Sequence, residues 1–434
     1  MSTNILAVTG NPVFHSLSPV LMNGAINANK LEYKYLRLPS YSVEESIKVF
    51  KLLGMGGMNV TAPFKQDVIP LLDRLTDNAQ KAGAVNCVYT KDGLLYGDNT
   101  DITGVEICIR RYPEFIKDGK MLVIGSGGAA QGVIIAGKNL GLNITVAARN
   151  QEALSKLKDR FNVEISTLNN IEKLVKEFKI IVQALPSGIK AFDPEILDSE
   201  CLILDANYKD SVFEPFIHKI GFKFLSGKDW LVNQAVPGFE IFTGTTTSAD
   251  VMYSALEKYK YEYHGRIALT GFMGVGKTTS GKILAKLTGY RFVDMDDEIE
   301  SQEGMKITEI FKTKGEDYFR KIETDMLRRY AGEQNIILSC GGGTVKNPEN
   351  QEILKSNFVT VWLYATAKYC IDGLDISNRP LLQCADPLAA AEKMLAERIP
   401  FYASCAYAVV CVENLNTEQI ANKVYEQINR TFGI

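Results

Sequence analysis

Two glycine-rich segments carry the clearest chemistry in this chain. The first is KMLVIGSGGAAQG, in which Gly125 would make a tight turn, Gly127 would let backbone approach a ligand, and Ala130 would let a helix pack on a strand. A pyrophosphate suits the N-terminus of the following helix, whose unpaired N–H groups and dipole favour anions. The next strand, NITVAAR, ends in Arg149 where an NAD site would present an acidic side chain. An arginine there suits a 2′-phosphate, so the expected cofactor is NADP(H). The second segment is GFMGVGKT (271–278), the pattern G-x-x-x-x-G-K-[ST] directly after the run IALT. Backbone N–H groups of Gly274, Val275, Gly276 and Lys277 would cradle the phosphates of ATP. Lys277 would reach the β- and γ-phosphates, and Thr278, followed by Thr279, would ligate Mg²⁺. The base-reading motif N-K-x-D of a GTPase is absent.

Upstream of both loops lie four polar clusters, GNPVFHSLSP (10–19), NVTAPFK (59–65), GAVNCV (83–88) and DNTD (98–101). Taken singly, each reads as a turn or a helix cap. Together they supply hydroxyls, amides, one lysine and two carboxylates, which suits a ring bearing several hydroxyls and a carboxylate. Only three histidines occur, His15, His218 and His264, so a Ser-His-Asp triad or a multi-histidine metal site has almost nothing to draw on. His15 reads as a hydrogen-bonded structural residue.

The 434 residues include 48 Lys and Arg against 51 Asp and Glu. The net charge of −3 offers no basic surplus for nucleic acid or an anionic membrane. Eight scattered cysteines with no C-x-x-C pair fit reduced, buried thiols in a cytoplasmic protein. The first Lys or Arg is Lys30, so the beginning of the chain does not read as a signal peptide. No apolar run approaches the ~18 residues needed to cross a bilayer. The expectation is a soluble monomer or homodimer whose partners are small molecules.

The elements that must position these groups alternate short apolar runs with helical stretches, the signature of an α/β fold with parallel sheets. Strand candidates are ILAVTG, KMLVIG, NITVAA, IIVQAL, LILDAN, RIALTGF and VTVWLY. Residues 248–264, SADVMYSALEKYKYEYH, read as one helix with a charged, tyrosine-rich tail. The two glycine loops are too far apart to serve one nucleotide. The expected order is an N-terminal α/β substrate lobe over 1–101, with a helix at about 235–258 packing back on it. A Rossmann lobe follows over 102–258, then a linker at 259–265 and a P-loop domain over 266–434, its parallel sheet flanked by helices.

Residues 1 to about 258 resemble shikimate dehydrogenase. The resemblance implies that Ser16 and Ser18 hold the substrate carboxylate, that Asn59, Thr61, Asn86 and Asp101 hold its hydroxyls, and that Lys65 stands beside the reacting oxygen. Tyr208 in DANYKD and Gln234 in GKDWLVNQAVPGFEIFTG match further substrate positions. The cofactor set is Gly125, Ser126, Gly127, Gly128, Ala129, Arg149 and Gly227. As hydride moves between the carbinol carbon and the nicotinamide, a proton moves at the hydroxyl, so an acid–base group is needed within reach. Lys65 and Asp101 are the natural pair, and the sequence leaves open which of them carries the proton. Two stretches depart from the family pattern: Ala148-Arg149-Asn150 stands for Asn-Arg-Thr, and Leu185 stands for a Thr or Ser.

Residues 265 to 434 resemble shikimate kinase, through FVDMDDEIE, GEDYFRKIE, SCGGGT, NRPLL and ERIPFY. The resemblance implies that Asp294 assists Mg²⁺ and Asp296 takes the proton of the attacking hydroxyl. Arg320 and Arg398 would clamp the substrate carboxylate through the bidentate guanidinium fork. Gly341, Gly342 and Gly343 would let backbone approach the ring, and Arg379 would act from a lid at about 368–386. An arginine common in the family before R-P-L-L is missing near Asp372 and Gly373. Asp297 reads as a helix N-terminal charge.

The expectation is therefore a bifunctional enzyme of aromatic amino-acid biosynthesis: reduction of 3-dehydroshikimate by NADPH, then phosphorylation of shikimate by ATP. Quinate in the first half, or another small polyol acid in the second, is the neighbouring reading. A non-catalytic sensor of shikimate or quinate is the distant one, since it has no need of Lys65, Asp101, Lys277, Thr278 and Asp296 together.

Overall fold

The computed structural model describes residues 4–186, 188–207, 211–372, 374 and 382–434. They form two compact units. One comprises Met1–Pro19, Lys30–Ala62 and Tyr259–Ile434, the other Val20–Asn29 and Pro63–Lys258.

The first unit is built on parallel strands in the order Arg291–Asp294, Ile336–Ser339, Arg266–Gly271, Val359–Tyr364, Ala408–Cys411, Tyr33–Pro39, Asn4–Gly10 and Gly57–Val60. Strands covered on both faces read as continuous apolar runs, and Val359–Tyr364 is buried at every position. In register, Leu269 lies between Ser339 on one side and Val361 on the other. The connection from Arg266–Gly271 leaves to one side for Arg291–Asp294 and later returns to the other at Val359–Tyr364. Ligands of open α/β sheets bind at the carboxyl ends of strands around such a reversal, which is where Gly271 begins the P-loop. The bridge Ala408↔Arg37 joins the N-terminal strands to the last strand of this unit.

The second unit holds a six-stranded parallel sheet ordered Lys223–Leu225, Leu202–Asp205, Ile180–Gln183, Lys120–Ile124, Asn143–Ala148 and Glu164–Thr167. Its two faces bury separate apolar cores, one including Val123, Ile134 and Val182, the other Ile124, Ile181 and Phe213. Beside it, Cys87–Lys91 and Leu94–Asp98 form an antiparallel hairpin. Its two-residue turn is Asp92-Gly93 with φ of 53° and 77°. Positive φ at both positions is the turn that matches strand twist and favours Asp-Gly.

All seven expected strands are present. Two helix expectations are corrected. The segment 248–264 is helical only over Ala249–Lys258. Beyond it, Tyr259, Tyr261 and Tyr263 alternate with charged residues at the period of an extended chain, and their rings pack on one another, Tyr407 and Phe432. Likewise the stretch about 235–258 is two helices, Gly227–Thr243 and Ala249–Lys258, separated at Gly244, whose φ of 65° ends the first. The compact units also cut the chain differently from the expected modules: the N-terminal strands group with 259–434, because Tyr33–Pro39 is continued edgewise by Ala408–Cys411. No described helix is long and apolar enough to cross a membrane.

Candidate functional site

In the second unit, the hairpin pairing Cys87↔Asp98 puts Asn86 directly beside the turn that leads into the helix Thr100–Arg110. Asn99 caps that helix, accepting from the Asp101 N–H, and donates to the Ala84 carbonyl. This fixes Asp101 in the first turn, where its carboxylate suits the positive end of the helix. Lys65 Nζ meets Asp101 Oδ2 at 2.6 Å, with both side chains only partly open to solvent. Asn86 accepts from the Thr100 N–H at 2.8 Å and donates to Thr100 Oγ1 at 3.0 Å and Gln234 Oε1 at 3.3 Å. Gln234 comes from the helix Gly227–Thr243, and Gly104 allows the approach: a Cβ there would lie 2.8 Å from that of Gln234. Trp230 Nε1 donates to the Asp101 carbonyl at 3.1 Å. Lys65, Asp101, Asn86 and Gln234 therefore sit in one hydrogen-bonded neighbourhood.

Ser16, Ser18, Asn59 and Thr61 belong to the first unit. Ser16 and Ser18 are both buried, and Ser16 Oγ accepts from the Ser18 N–H. Tyr35 donates to Asn59 Oδ1 at 2.6 Å. Thr61 continues the strand pairing through its N–H to the Thr9 carbonyl, and its methyl crowds Gly10, where a Cβ would lie 2.5 Å away.

The first glycine loop has the geometry of an anion cradle. Gly125 has φ of 129°, and a Cβ there would strike the Ala184 carbonyl at 2.6 Å. Cβ atoms on Gly127 or Gly128 would meet open space, and no side chain caps the helix Gly128–Asn139. Ser126 and Ala129 flank this mouth, and Arg149 stands exposed at the end of Asn143–Ala148. The N-terminal amides and arginine fit a phosphorylated dinucleotide. Gly227 begins its helix so close to Ala206 and Asn207 that a Cβ would lie 2.5 Å from both.

In the first unit, Gly274 and Gly276 hold φ of 76° and 89°, and a Cβ on Gly274 would collide with the Cys370 carbonyl. Val275 is buried beneath the loop, while Thr279 is exposed. Lys277 Nζ donates to the Gly271 and Phe272 carbonyls at 2.9 and 3.0 Å. Burial lowers its pKa, and Asp296, Cys340 and Asp294 pull it back up. Thr278 donates to Asp294 Oδ2 at 2.7 Å, and Asp294 Oδ1 accepts from the Asp296 N–H at 3.1 Å. A hydroxyl beside a carboxylate under a P-loop is the donor set Mg²⁺ takes with phosphates. Across from it runs the segment Gly341–Gly343. A Cβ on Gly341 would lie 2.9 Å from Asp296 Oδ1, one on Gly342 3.6 Å from Arg398, and one on Gly343 3.1 Å from Arg320. Glycine here lets backbone come up to all three side chains. Asp297, exposed in the helix first turn, stays a helix-end charge.

Four residues that sequence reasoning missed complete these sites. Thr100 links Asn86 to Gln234 through its hydroxyl. Trp230 ties the helix Gly227–Thr243 to Asp101. Glu323, almost fully buried, holds Arg320 at 3.0 Å and accepts from Thr344 at 2.5 Å. Burial raises its pKa against the pull of Thr344 and Arg320. Tyr402 and Arg398 both donate to the Gly342 carbonyl. All four stand inside quoted motifs: Thr100 in DNTD, Trp230 in GKDWLVNQAVPGFEIFTG, Glu323 in GEDYFRKIE and Tyr402 in ERIPFY. Tyr208, Gly373 and Arg379 lie outside the described residues.

A Rossmann sheet with a glycine turn and a lysine–carboxylate pair, followed by a P-loop facing an arginine pair, defines a nucleotide-dependent oxidoreductase joined to a phosphotransferase. Family models match along the same line: shikimate dehydrogenase substrate binding domain over 8–88, shikimate / quinate 5-dehydrogenase over 109–196, and shikimate kinase over 273–429. A shikimate dehydrogenase (NADP(+)) of Aquifex aeolicus is 33% identical over 270 residues, covering 61% of this chain and 98% of its own length. A shikimate kinase of Caldicellulosiruptor bescii is 40% identical over 159 residues, covering 36% of this chain and 92% of its own. The crystal structure of the Aquifex aeolicus shikimate dehydrogenase superposes with a TM-score of 0.56 at 31% identity, covering 59% of this chain and 98% of that one. The chain belongs to the shikimate dehydrogenase family in its first part and to the shikimate kinase family in its last, and it is a bifunctional enzyme of the shikimate pathway.

Proposed function

We propose that the dehydrogenase half works reductively, turning 3-dehydroshikimate into shikimate, and that the kinase half converts that shikimate to shikimate 3-phosphate. NADPH supplies the hydride when bound, and ATP with Mg²⁺ supplies the phosphoryl group. The Lys65–Asp101 pair carries the reading: it gives the proton to the oxygen that becomes the hydroxyl, acting as one coupled unit. Ser16 and Ser18 take the carboxylate, Asn59, Thr61, Asn86 and Gln234 the hydroxyls. Gly125 to Ala129 receive the pyrophosphate and Arg149 the 2′-phosphate.

In the kinase half Lys277 holds phosphate oxygens, Thr278 and Asp294 hold the metal, and Asp296 accepts the proton of the attacking hydroxyl. Arg320 and Arg398 bind the carboxylate, with Gly341–Gly343 beneath the ring. The modules 1–101, 102–258 and 266–434 are functional divisions of a cytoplasmic protein, a location that the mostly buried thiols support.

One coupled assay tests the sequence of steps: with 3-dehydroshikimate and ATP·Mg²⁺, ADP forms only when NADPH is added. ADP formation independent of NADPH would overturn it. Replacing NADPH by NADH in the native chain and in Arg149→Asp tests the cofactor reading. An unchanged preference removes Arg149 from it. Quinate, included in the name of the matched 109–196 model, is the substrate to run beside shikimate.

A further inference from the structure

The loop 11–18, which carries Ser16 and Ser18, is held by side chains from the kinase half. Gln427, in the helix Thr417–Phe432, is 2% exposed. Its Oε1 accepts from the N–H groups of Val13 at 2.9 Å and Phe14 at 3.4 Å, and its Nε2 donates to Asn11 Oδ1 at 3.1 Å. Tyr407 donates its hydroxyl to the Phe14 carbonyl at 2.7 Å, and its ring meets Phe14 edge-on at 5.4 Å. Arg37 lies over the Tyr407 ring at 3.8 Å and donates to the carbonyls of Ser16 at 2.8 Å and Tyr407 at 3.3 Å.

The backbone of Val13, Phe14 and Ser16 thus finds its partners on Gln427, Tyr407 and Arg37. Buried backbone groups need such partners, and here they set the path of the loop. The helix bearing Gln427 cannot follow a moving loop. It packs on the P-loop helix Lys277–Thr288, and its buried Lys423 is paired with Glu45.

We propose that Gln427 is a positioning residue for the dehydrogenase: seated in the kinase half, it fixes the loop 11–18 and so sets how tightly the dehydrogenase holds its carboxylate substrate. The inference rests on the reading that Ser16 and Ser18 bind that carboxylate. Its physical basis is that a displacement of about 1 Å in a substrate-positioning group costs up to about a hundredfold in catalysis.

The test uses the full-length chain and measures shikimate oxidation by NADP⁺ and shikimate phosphorylation by ATP side by side. Gln427→Met keeps the volume and removes the acceptor. It should raise the dehydrogenase KM for shikimate on the order of tenfold, with KM for NADP⁺ and both kinase constants unchanged. Gln427→Glu keeps an acceptor for Val13 and Phe14 and, with the Asn11 amide turned so that its Nδ2 donates, should restore most of the loss. Ser16→Ala should raise the same KM. An unchanged shikimate KM in Gln427→Met beside a raised one in Ser16→Ala overturns the inference alone. Parallel loss of both activities in Gln427→Met, or no rescue by Gln427→Glu, overturns it as well. An unchanged KM in Ser16→Ala overturns the carboxylate reading, and the inference with it.

Discussion

Lys65 and Lys277 are the lysines of the two proposed reaction centres, and their surroundings differ in kind. Lys65 meets a carboxylate at 2.6 Å, on a helix first turn that is partly open to solvent. Lys277 is held by two backbone carbonyls inside a glycine loop, where burial lowers its pKa. A carboxylate can share a proton with an ammonium, whereas carbonyl oxygens only orient it. On the proposed reading, one lysine exchanges protons and the other serves as an oriented charge for phosphate oxygens. The same side chain performs different chemistry because its partners differ.

The strongest way to break this contrast is to remove each lysine in turn. Lys277→Ala should reduce shikimate phosphorylation by about 10³-fold or more, since it removes a preorganised charge from the phosphates. NADPH oxidation by 3-dehydroshikimate should persist at the native rate, and loss of both activities in that assay would end the two-centre account. Lys65→Ala should lower dehydrogenase turnover by about 10²–10⁴-fold while ADP formation from added shikimate is untouched. A change of less than fivefold would take Lys65 out of the proton transfer.

Glu323→Gln sharpens the contrast on the kinase side. It keeps the contact with Thr344 but removes the buried one of the two carboxylates, Glu316 and Glu323, that face Arg320. The kinase KM for shikimate should change by about three- to tenfold, as a charge-assisted contact becomes a neutral one, while the dehydrogenase KM for the same compound stays put. Equal changes in the two KM values would show that Glu323 acts through folding alone.

The smallest effect belongs to Glu413. Its burial raises the pKa, but Lys48 and the hydroxyl and N–H of Thr366 outweigh that and leave it below the ordinary 4.5. A depressed carboxylate adds stability above its unfolded value and loses it as pH falls through the folded one. Glu413→Gln should therefore cost about 0.5–1 kcal/mol at pH 7, discounted because Lys48 is exposed. The gap to the native chain should close below pH 4.5. Denaturant unfolding at pH 7 and at successively lower pH measures it, and a gap that does not narrow as pH falls below 4.5 would refute the ion-pair account.

The site was legible in pieces. Both glycine loops follow strands whose apolar runs are plain in the sequence, and GKT after a strand and four residues of loop leaves little freedom. The Asp92-Gly93 pair is a hairpin signal in the sequence, and the turn it makes brings Asn86 beside Thr100. The run KYKYEYH reads in the sequence as the charged, tyrosine-rich tail of one helix. Its period of two became meaningful only once Tyr407 and Phe432 offered rings to pack against.

Glycine loops, helix caps and the polar motifs around Lys65 and Asp296 were determined by the sequence itself, because a positive φ or a capping oxygen is a demand made within a few residues. Tertiary structure alone decided that Thr344 meets Glu323, that Thr100 bridges Asn86 to Gln234, and that Gln427 reaches Val13 across 414 positions. A buried glutamine is an ordinary residue in an ordinary helix until the fold places unpaired N–H groups in front of it. Satisfying buried polar groups is a condition on three-dimensional neighbours, and a linear pattern holds no record of who they are.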